Sequence, residues 1–364
     1  MAWLIRTGSA SIILLVFILF SSGRLEAQPF KVSYLFKNHS DGYPMFRIPT
    51  VITAGSGRIL AFCEGRKSLF DSGDIDLVMK TSDDQGKTWS PLQVIWNDGS
   101  NTCGNPTPVL DRTNGDVIVV ATLNNDSVFV LRSANEGKHW ETPVNITASV
   151  KPDSWKWYAS GPVHAIQLEQ ATYKNRLMIP CNHTLTKPGK HIAHIIYSDD
   201  SGKTWHLGGS VPADDTDEST VAELTNGELL LNMRNSDRTW LSRKVSHSTD
   251  GGLTWSVPVF DSVLIEPVCQ GSLLRYSQMP DILLFSNPRH TKQRKNLTLA
   301  VSIDGGKTWS RLLSLWRRRS AYSDLVVLAD GDVLCLYETG KVLPYSGIAL
   351  TFVKRESISN CLGR

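Results

Sequence analysis

Arg47 stands between Phe46 and Ile48 in residues 43–50, YPMFRIPT. Its neighbours draw it toward a core, where a guanidinium is costly unless something pairs with it. Arg47 therefore has either a permanent acidic partner or an anionic ligand. Bulk charge offers no general attraction for such a ligand. The formal net charge is +3, and removing Arg6, Arg24 and Glu26 with the expected leader lowers it to +2. That leaves no global pull toward nucleic acid or membranes, so an anion needs a local site. The nine histidines show no metal-ligand spacing, and neither a catalytic metal nor another cofactor is expected.

The elements that would position such a site are legible as a repeat. Residues 82–89 read SDDQGKTW, 198–205 SDDSGKTW, 248–255 STDGGLTW and 302–309 SIDGGKTW, with a worn copy, SANEGKHW, at 133–140. The copies start 50 to 65 residues apart. In S-x-D-x-G-x-T-W the carboxylates of Asp84, Asp200, Asp250 and Asp304 can accept N–H groups of their own turn. The glycines Gly86, Gly202, Gly252 and Gly306 supply a positive φ. The tryptophan is expected to start the following strand and to fill space between sheets. Strand-like runs such as IDLVMKTS, HIIYS and LTLAVS precede the boxes, and DVIVVATL, GELLLNMR and ILLFSN lie between them. Short strands in units of this length predict an all-β, six-bladed β-propeller, five blades with a box and one without. The box itself is a folding element with no catalytic weight.

A propeller gathers one end of its inner strands around a central opening, so arginines from distant segments can form one anion cage. At this point the sequence resembles the exo-α-sialidases (neuraminidases) of the bacterial and animal type, on FRIP at 46–49 together with the Asp boxes, over nearly the whole chain after the leader. The resemblance implies that Arg47 is the first of three arginines gripping a sialic acid carboxylate. It implies the acid/base aspartate in RKSLFDSGDIDL, at Asp71, with Asp74 and Asp76 as competitors. The VxEL glutamate falls at Glu223 in STVAELTNGELLLNMRNSDR, and the second arginine at Arg238 rather than Arg234 or Arg243. HTKQRKNLTL points to Arg294 as the third, AYSDL to Tyr322 as the nucleophile, and CLYE to Glu338 as the brace of Arg47. Arg66 and Asn105 resemble pocket positions near the sugar's C4 hydroxyl. The chemistry is coherent. Sialic acid carries its carboxylate on the anomeric carbon, which bidentate arginines recognise. A neutral phenol avoids the repulsion an anionic nucleophile would meet there, and tyrosine is the known exception among retaining glycosidases.

Each of these residues also has a plain structural explanation. A tyrosine in an apolar run is ordinarily core, Glu223 can be a solvated strand residue, Arg238 and Arg294 lie in polar stretches, and Asp71 sits in an acidic loop. The joint order of all seven favours an enzyme that hydrolyses terminal α-linked sialic acids of glycoproteins, glycolipids and oligosaccharides. The alternatives are a trans-sialidase or a non-catalytic propeller that binds sialylated glycans. SWKWY at 154–158 is a glycan platform or blade packing, and the following ASGPVHAIQL departs from the family's glycine-rich stretch. Arg317, Arg318 and Arg319 form a basic run that either steers anionic glycans or is a solvated loop.

Residues 1–27 read as a signal peptide, with Arg6, the apolar run 12–20 and a small residue, Ala27, at the cleavage point. One propeller domain, 28–364, is expected, acting as a secreted or otherwise exported monomer. No stretch is long enough to span a membrane. Cys63 and Cys335 lie in apolar runs suited to buried thiols. Asn38, Asn125, Asn145, Asn182 and Asn296 head N-x-Ser/Thr triplets, which are glycan acceptors in a eukaryotic secretory pathway.

Overall fold

The apolar runs pair into antiparallel hairpins whose register keeps alternate side chains on the two buried faces. Met45–Thr53, Ile59–Arg66, Ile75–Ser82 and Gln93–Trp96 form one four-stranded sheet. Cys103–Leu110, Val117–Leu123, Ser127–Ser133 and Val144–Asn145 form a second. The third has Tyr158–Ser160, Leu177–Thr184, His191–Ser198 and His206–Ser210 in order, with Ile166–Gln167 also on Leu177–Thr184. The fourth has Thr216–Glu223, Leu229–Asn235, Ser242–Ser248 and Val259–Ile265. This computed structural model describes residues 32–186, 189–309 and 311–360. The expected signal peptide and Cys361 lie outside the described residues.

The rest is one seven-stranded sheet, because the 17-residue strand Arg311–Val327 serves two sets of neighbours. Its first part pairs with Lys295–Ser302 and its second with Val333–Thr339. Ser272–Ser277 and Ile282–Pro288 extend one side, and Gly347–Val353 and Tyr34–Lys37 the other. Instead of six separate sheets there are thus five hydrogen-bonded ones among the described residues, in an all-β, propeller-like arrangement.

Apolar clusters fill the space between neighbouring sheets, and the repeat supplies the wedges. Trp205 lies in a cluster with Ile118, Val120, Leu177 and Ile179, between the second and third sheets. Trp255 sits with Ile195 and Leu231, between the third and fourth. Trp309 sits with Leu230 and Phe285, between the fourth and the seven-stranded sheet. These tryptophans precede the next strand rather than starting it, since the box turn needs its last residues for its own hydrogen bonds. In the first box Asp84 Oδ1 accepts Ser82 Oγ at 2.8 Å and Thr88 N at 2.9 Å, and Oδ2 accepts Thr88 Oγ1 at 2.6 Å. Gly86, at φ +82°, donates its N–H to Ser82 Oγ. The boxes at Asp200, Asp250 and Asp304 repeat this pattern.

The five cysteines among the described residues are buried free thiols. Of the expected glycan acceptors, Asn182 is fully buried, where no glycan can be accommodated, and Asn145 is exposed. No helix among the described residues is long and apolar enough to cross a membrane.

Candidate active site

The inner strands share a device at their leading ends. Arg47, Asn105 and Glu218 are each the third residue of the first strand of their sheet. Tyr322 is likewise third from Ser320, where pairing with Val333–Thr339 begins. Each of these four strands shifts register just there, between Arg47 and Thr50, Gly104 and Thr107, Thr216 and Ser219, and Ser320 and Ser323. Such bulges interrupt the alternation of a strand and re-aim a side chain. The most strained is at Ile48, a β-branched residue at φ +61°. It is held by an N–H bond to Glu338 Oε1 at 2.9 Å and by packing with Cys269, Ala321 and Tyr322.

The side chains released this way meet over a cavity of about 730 Å³ lined by Arg47, Arg66, Asp71, Asn105, Trp157, Glu218, Arg234, Arg294, Tyr322 and Tyr345, among others. Arg47 Nε bonds Glu338 Oε1 at 2.5 Å, and the Glu338 carboxylate is fully buried. Its other oxygen accepts Tyr322 N at 3.3 Å. Arg47 thus has its permanent partner, while Nη1 faces Asp71 Oδ1 at 3.6 Å. Arg294 donates to Tyr345 Oη at 3.0 Å and Val268 O at 3.0 Å. The Arg47 and Arg294 guanidinium carbons each lie 5.5 Å from the Tyr322 ring centre.

Tyr322 Oη donates a short hydrogen bond to Glu218 Oε1 and accepts Arg234 Nη1 at 3.1 Å. Arg234 Nη1 also reaches Glu218 Oε2 at 2.7 Å. Burial first, and the Glu218 charge second, push the Tyr322 phenol well above its ordinary range. The phenol is therefore neutral near pH 7, with the Glu218 carboxylate accepting its proton in a hydrogen bond. Asp217 backs this group, with Nε of Arg234 at 3.4 Å from its Oδ2 and Asn182 Nδ2 donating to Oδ1 at 2.7 Å.

Asp71 sits on the exposed loop after Ile59–Arg66 and accepts Arg66 Nη1 in a short ion pair. Burial raises its carboxyl, but Arg66, and then Arg47 and Arg294, outweigh this and hold it below the usual carboxylate range. Arg66 is oriented by Glu64, whose Oε2 accepts Nε at 2.8 Å and Nη2 at 2.5 Å. Glu64 Oε1 accepts Asn105 N at 2.9 Å, which fixes Asn105 at the wall.

Two expected positions lie elsewhere. Glu223 ends the same strand that Glu218 begins, and its carboxylate accepts Glu169 N at 2.7 Å and Gln170 N at 3.1 Å. It lines a second cavity, of about 460 Å³, at the opposite end of the inner strands, with Arg112, Glu169, Arg275 and Gln278. Five extended residues separate Glu223 from Glu218, Tyr322's partner, by about 16 Å at about 3.3 Å per residue, so Glu223 cannot reach Tyr322. Arg238 is exposed on the loop after Leu229–Asn235, and the strand's penultimate residue, Arg234, holds the position expected of it. Arg243 is fully buried on Asn232 Oδ1, Glu266 and Cys269 O. Asp76 is also internal, accepting Tyr43 Oη at 2.5 Å.

The SWKWY segment divides between its two readings. Trp155 stacks on His183 in the interior, whereas Trp157 lines the cavity and meets His191 edge-on at 4.8 Å. Glu218 and Tyr345 are not among the expected site residues, Arg234 is expected only as an alternative to Arg238, and Trp157 only as part of the SWKWY segment. For Glu218 and Arg234 a signal existed: Arg47 and Asn105 at third place in a first strand imply Glu218, and Arg66 and Glu338 near the end of a second strand imply Arg234.

Residues 57–335 match the BNR repeat-like domain family. A sialidase of Bacteroides fragilis is 31% identical over 338 residues, covering 82% of this chain and 61% of the relative, so the chain spans less than two thirds of that protein. An exo-alpha-sialidase of Aspergillus fumigatus is 32% identical, covering 82% of this chain and 79% of the relative. The solved structure of a Hadza microbial sialidase superimposes with a TM-score of 0.78 at 30% identity, covering 87% of this chain and 67% of that one.

Proposed function

Because this chain belongs to the sialidase family, we propose that it is an exo-α-sialidase that hydrolyses terminal α-linked sialic acids with retention through Tyr322. The observation that carries the reading is the Tyr322 hydroxyl donating to Glu218 between Arg234 and Arg294. Arg47, Arg234 and Arg294 bind the sugar carboxylate, and Glu338 keeps Arg47 oriented when the site is empty. As the Tyr322 oxygen bonds to the anomeric carbon, its proton passes to Glu218, and Asp71 protonates the departing glycosidic oxygen. Asp71 then takes a proton from water. That water displaces Tyr322 from the anomeric carbon, and the phenol recovers its proton from Glu218. The sugar anion offsets the arginine charges that hold Asp71 ionised, so substrate binding raises Asp71 toward the protonated state it needs as an acid. Arg66 and Asn105 contact the far side of the ring, and Trp157 flanks the aglycone.

In the same reading the seven-stranded sheet is two four-stranded blades joined through Arg311–Val327, giving a six-bladed propeller in one domain, residues 28–364. Substrates are the sialylated ends of glycoproteins, glycolipids and oligosaccharides.

The direct test is release of sialic acid from 3′- and 6′-sialyllactose, with and without excess lactose. A 3-fluorinated sialosyl fluoride should label Tyr322, located by peptide mass mapping, and Tyr322→Phe should abolish both labelling and turnover while folding survives. Label on Glu218 or Asp71, or near-normal turnover of Tyr322→Phe, would reassign the nucleophile.

A further inference from the structure

Three loops rise from the strand ends that bear the cavity: 67–74, 289–294 and 340–346. Arg66 and Arg294 at their roots, and Asp71 and Tyr345 within them, line the cavity, so all three stand on its face of the molecule. Two of them end in bare apolar side chains. Leu69 is 69% and Phe70 73% exposed on one tip, and Val342 is 79% and Leu343 64% exposed on the other. The surrounding segments are basic. Residues 289–295 read RHTKQRK, 317–319 RRR and 340–343 GKVL, without a carboxylate among them. Arg319 pairs with Lys295 across the sheet, and its carbonyl accepts Thr339 Oγ1 at 2.7 Å, which joins the arginine run to the root of the 340–346 loop. Lys292, Lys295, Arg317, Arg318, Arg319 and Lys341 form no ion pair with a carboxylate among the described residues. The opposite rim differs: Asp214 and Asp215 bear on Lys190, and Asp217 on Arg234.

We propose that this apolar and basic half of the rim docks the protein on an anionic lipid surface, with Phe70, Val342 and Leu343 entering the interface and the cavity facing glycans carried by the bilayer. Apolar tips flanked by arginine and lysine are what an anionic interface accepts: the tips bury among acyl chains and each nearby basic side chain adds an attraction that salt weakens. A soluble glycan offers nothing to the apolar tips, and a protein partner would need a broader face than two isolated tips. Because Phe70 is next to Asp71, docking also places the acid/base loop against the surface from which substrate comes. Only that consequence rests on the sialidase reading; the docking stands apart from it.

The test is co-sedimentation of the full chain with phosphatidylcholine vesicles, with and without phosphatidylserine, at low and high salt. Binding is expected only with phosphatidylserine and is expected to weaken at high salt. Val342→Ser/Leu343→Ser/Phe70→Ser and, separately, Arg317→Ser/Arg318→Ser should each reduce it roughly tenfold or more. Circular dichroism checks that both variants are folded, and hydrolysis of 3′-sialyllactose should be unchanged in both. With a glycolipid substrate in phosphatidylserine vesicles, both should lose activity in step with binding. Absence of wild-type binding to phosphatidylserine vesicles overturns the proposal. So does binding that heparin abolishes and the apolar variant leaves intact, which would mark a polyanion site only, and so does binding to pure phosphatidylcholine of equal strength. Failure on 3′-sialyllactose with vesicle binding intact would overturn the sialidase reading and leave the docking in place.

Discussion

The two ends of the inner strands are built on opposite principles, and Glu218 and Glu223, five positions apart on one strand, show the contrast. At the leading end the register slips, φ turns positive at Ile48 and Asn105, and charged groups converge on one cavity. At the trailing end the ladders that run into the Asp boxes stay regular, while Ser272–Ser277 shifts register between Arg275 and Ser277. Ser82, Ser198, Ser248 and Ser302 end their strands there, each opening an Asp-box turn, and Glu223 is occupied by two backbone N–H groups. Charged side chains from several sheets converge where a ligand can use them, and hydrogen-bonded turns with wedged tryptophans hold the sheets at the other end. Changes at the leading end should therefore alter catalysis with little effect on melting, and changes at the trailing end the reverse.

The sharpest way to break this comparison is to treat the two glutamates alike. Glu218→Gln should lower kcat by about 10²–10⁴-fold, the range of a lost general base. Glu223→Gln should keep kcat near the wild-type value, since only its bonds to Glu169 N and Gln170 N change. Steady-state rates on an aryl sialoside decide the matter, and equal losses would erase the distinction between the ends.

Next in size, Trp205→Ala should cost about 3–5 kcal/mol of stability, as for other buried large-to-small changes. Thermal unfolding reads this out, and kcat/KM per folded molecule should hold. A variant that melts normally but turns over slowly would place function at the trailing end.

Arg234→Ala removes a charged hydrogen bond to Glu218 and one to Tyr322, each class worth about 1.5–3 kcal/mol, or roughly 10- to 150-fold. Arg238→Ala, on an exposed loop, should change kcat/KM little. Inverse behaviour would restore Arg238 as a site residue.

The smallest effect separates the ends by pH. The Thr88 hydroxyl first, with Thr88 N and the Ser82 hydroxyl, holds the Asp84 carboxyl down at about 2. Asp200, Asp250 and Asp304 are also lowered, their turn hydrogen bonds outweighing partial burial. A lowered carboxyl stabilises the fold above its unfolded value of about 3.9 and ceases to do so as pH falls through the folded value. Melting temperature should thus drop between about pH 4 and pH 2, and the deficit of Asp84→Asn relative to wild type should shrink over that window. A constant deficit would mean the carboxylate charge contributes nothing to the turn.

The sequence by itself determined the repeat, its turn chemistry and the all-β class, because each Asp box is a local structure: the serine, aspartate, glycine and threonine that make its bonds lie within seven residues. The resemblance to the sialidases pointed to Arg47, Asp71, Arg294 and Tyr322, which the fold brings to one cavity, and to Glu338 as the brace of Arg47, which it bonds across 291 positions. Only the tertiary structure puts Glu218 rather than Glu223, and Arg234 rather than Arg238, at that cavity. A bulge moves every later side chain of a strand to the other face, and it is stabilised by partners from other sheets, as Ile48 is by Glu338. The merging of two expected sheets through Arg311–Val327 likewise depends on hydrogen bonds to strands on both sides, which no local pattern contains.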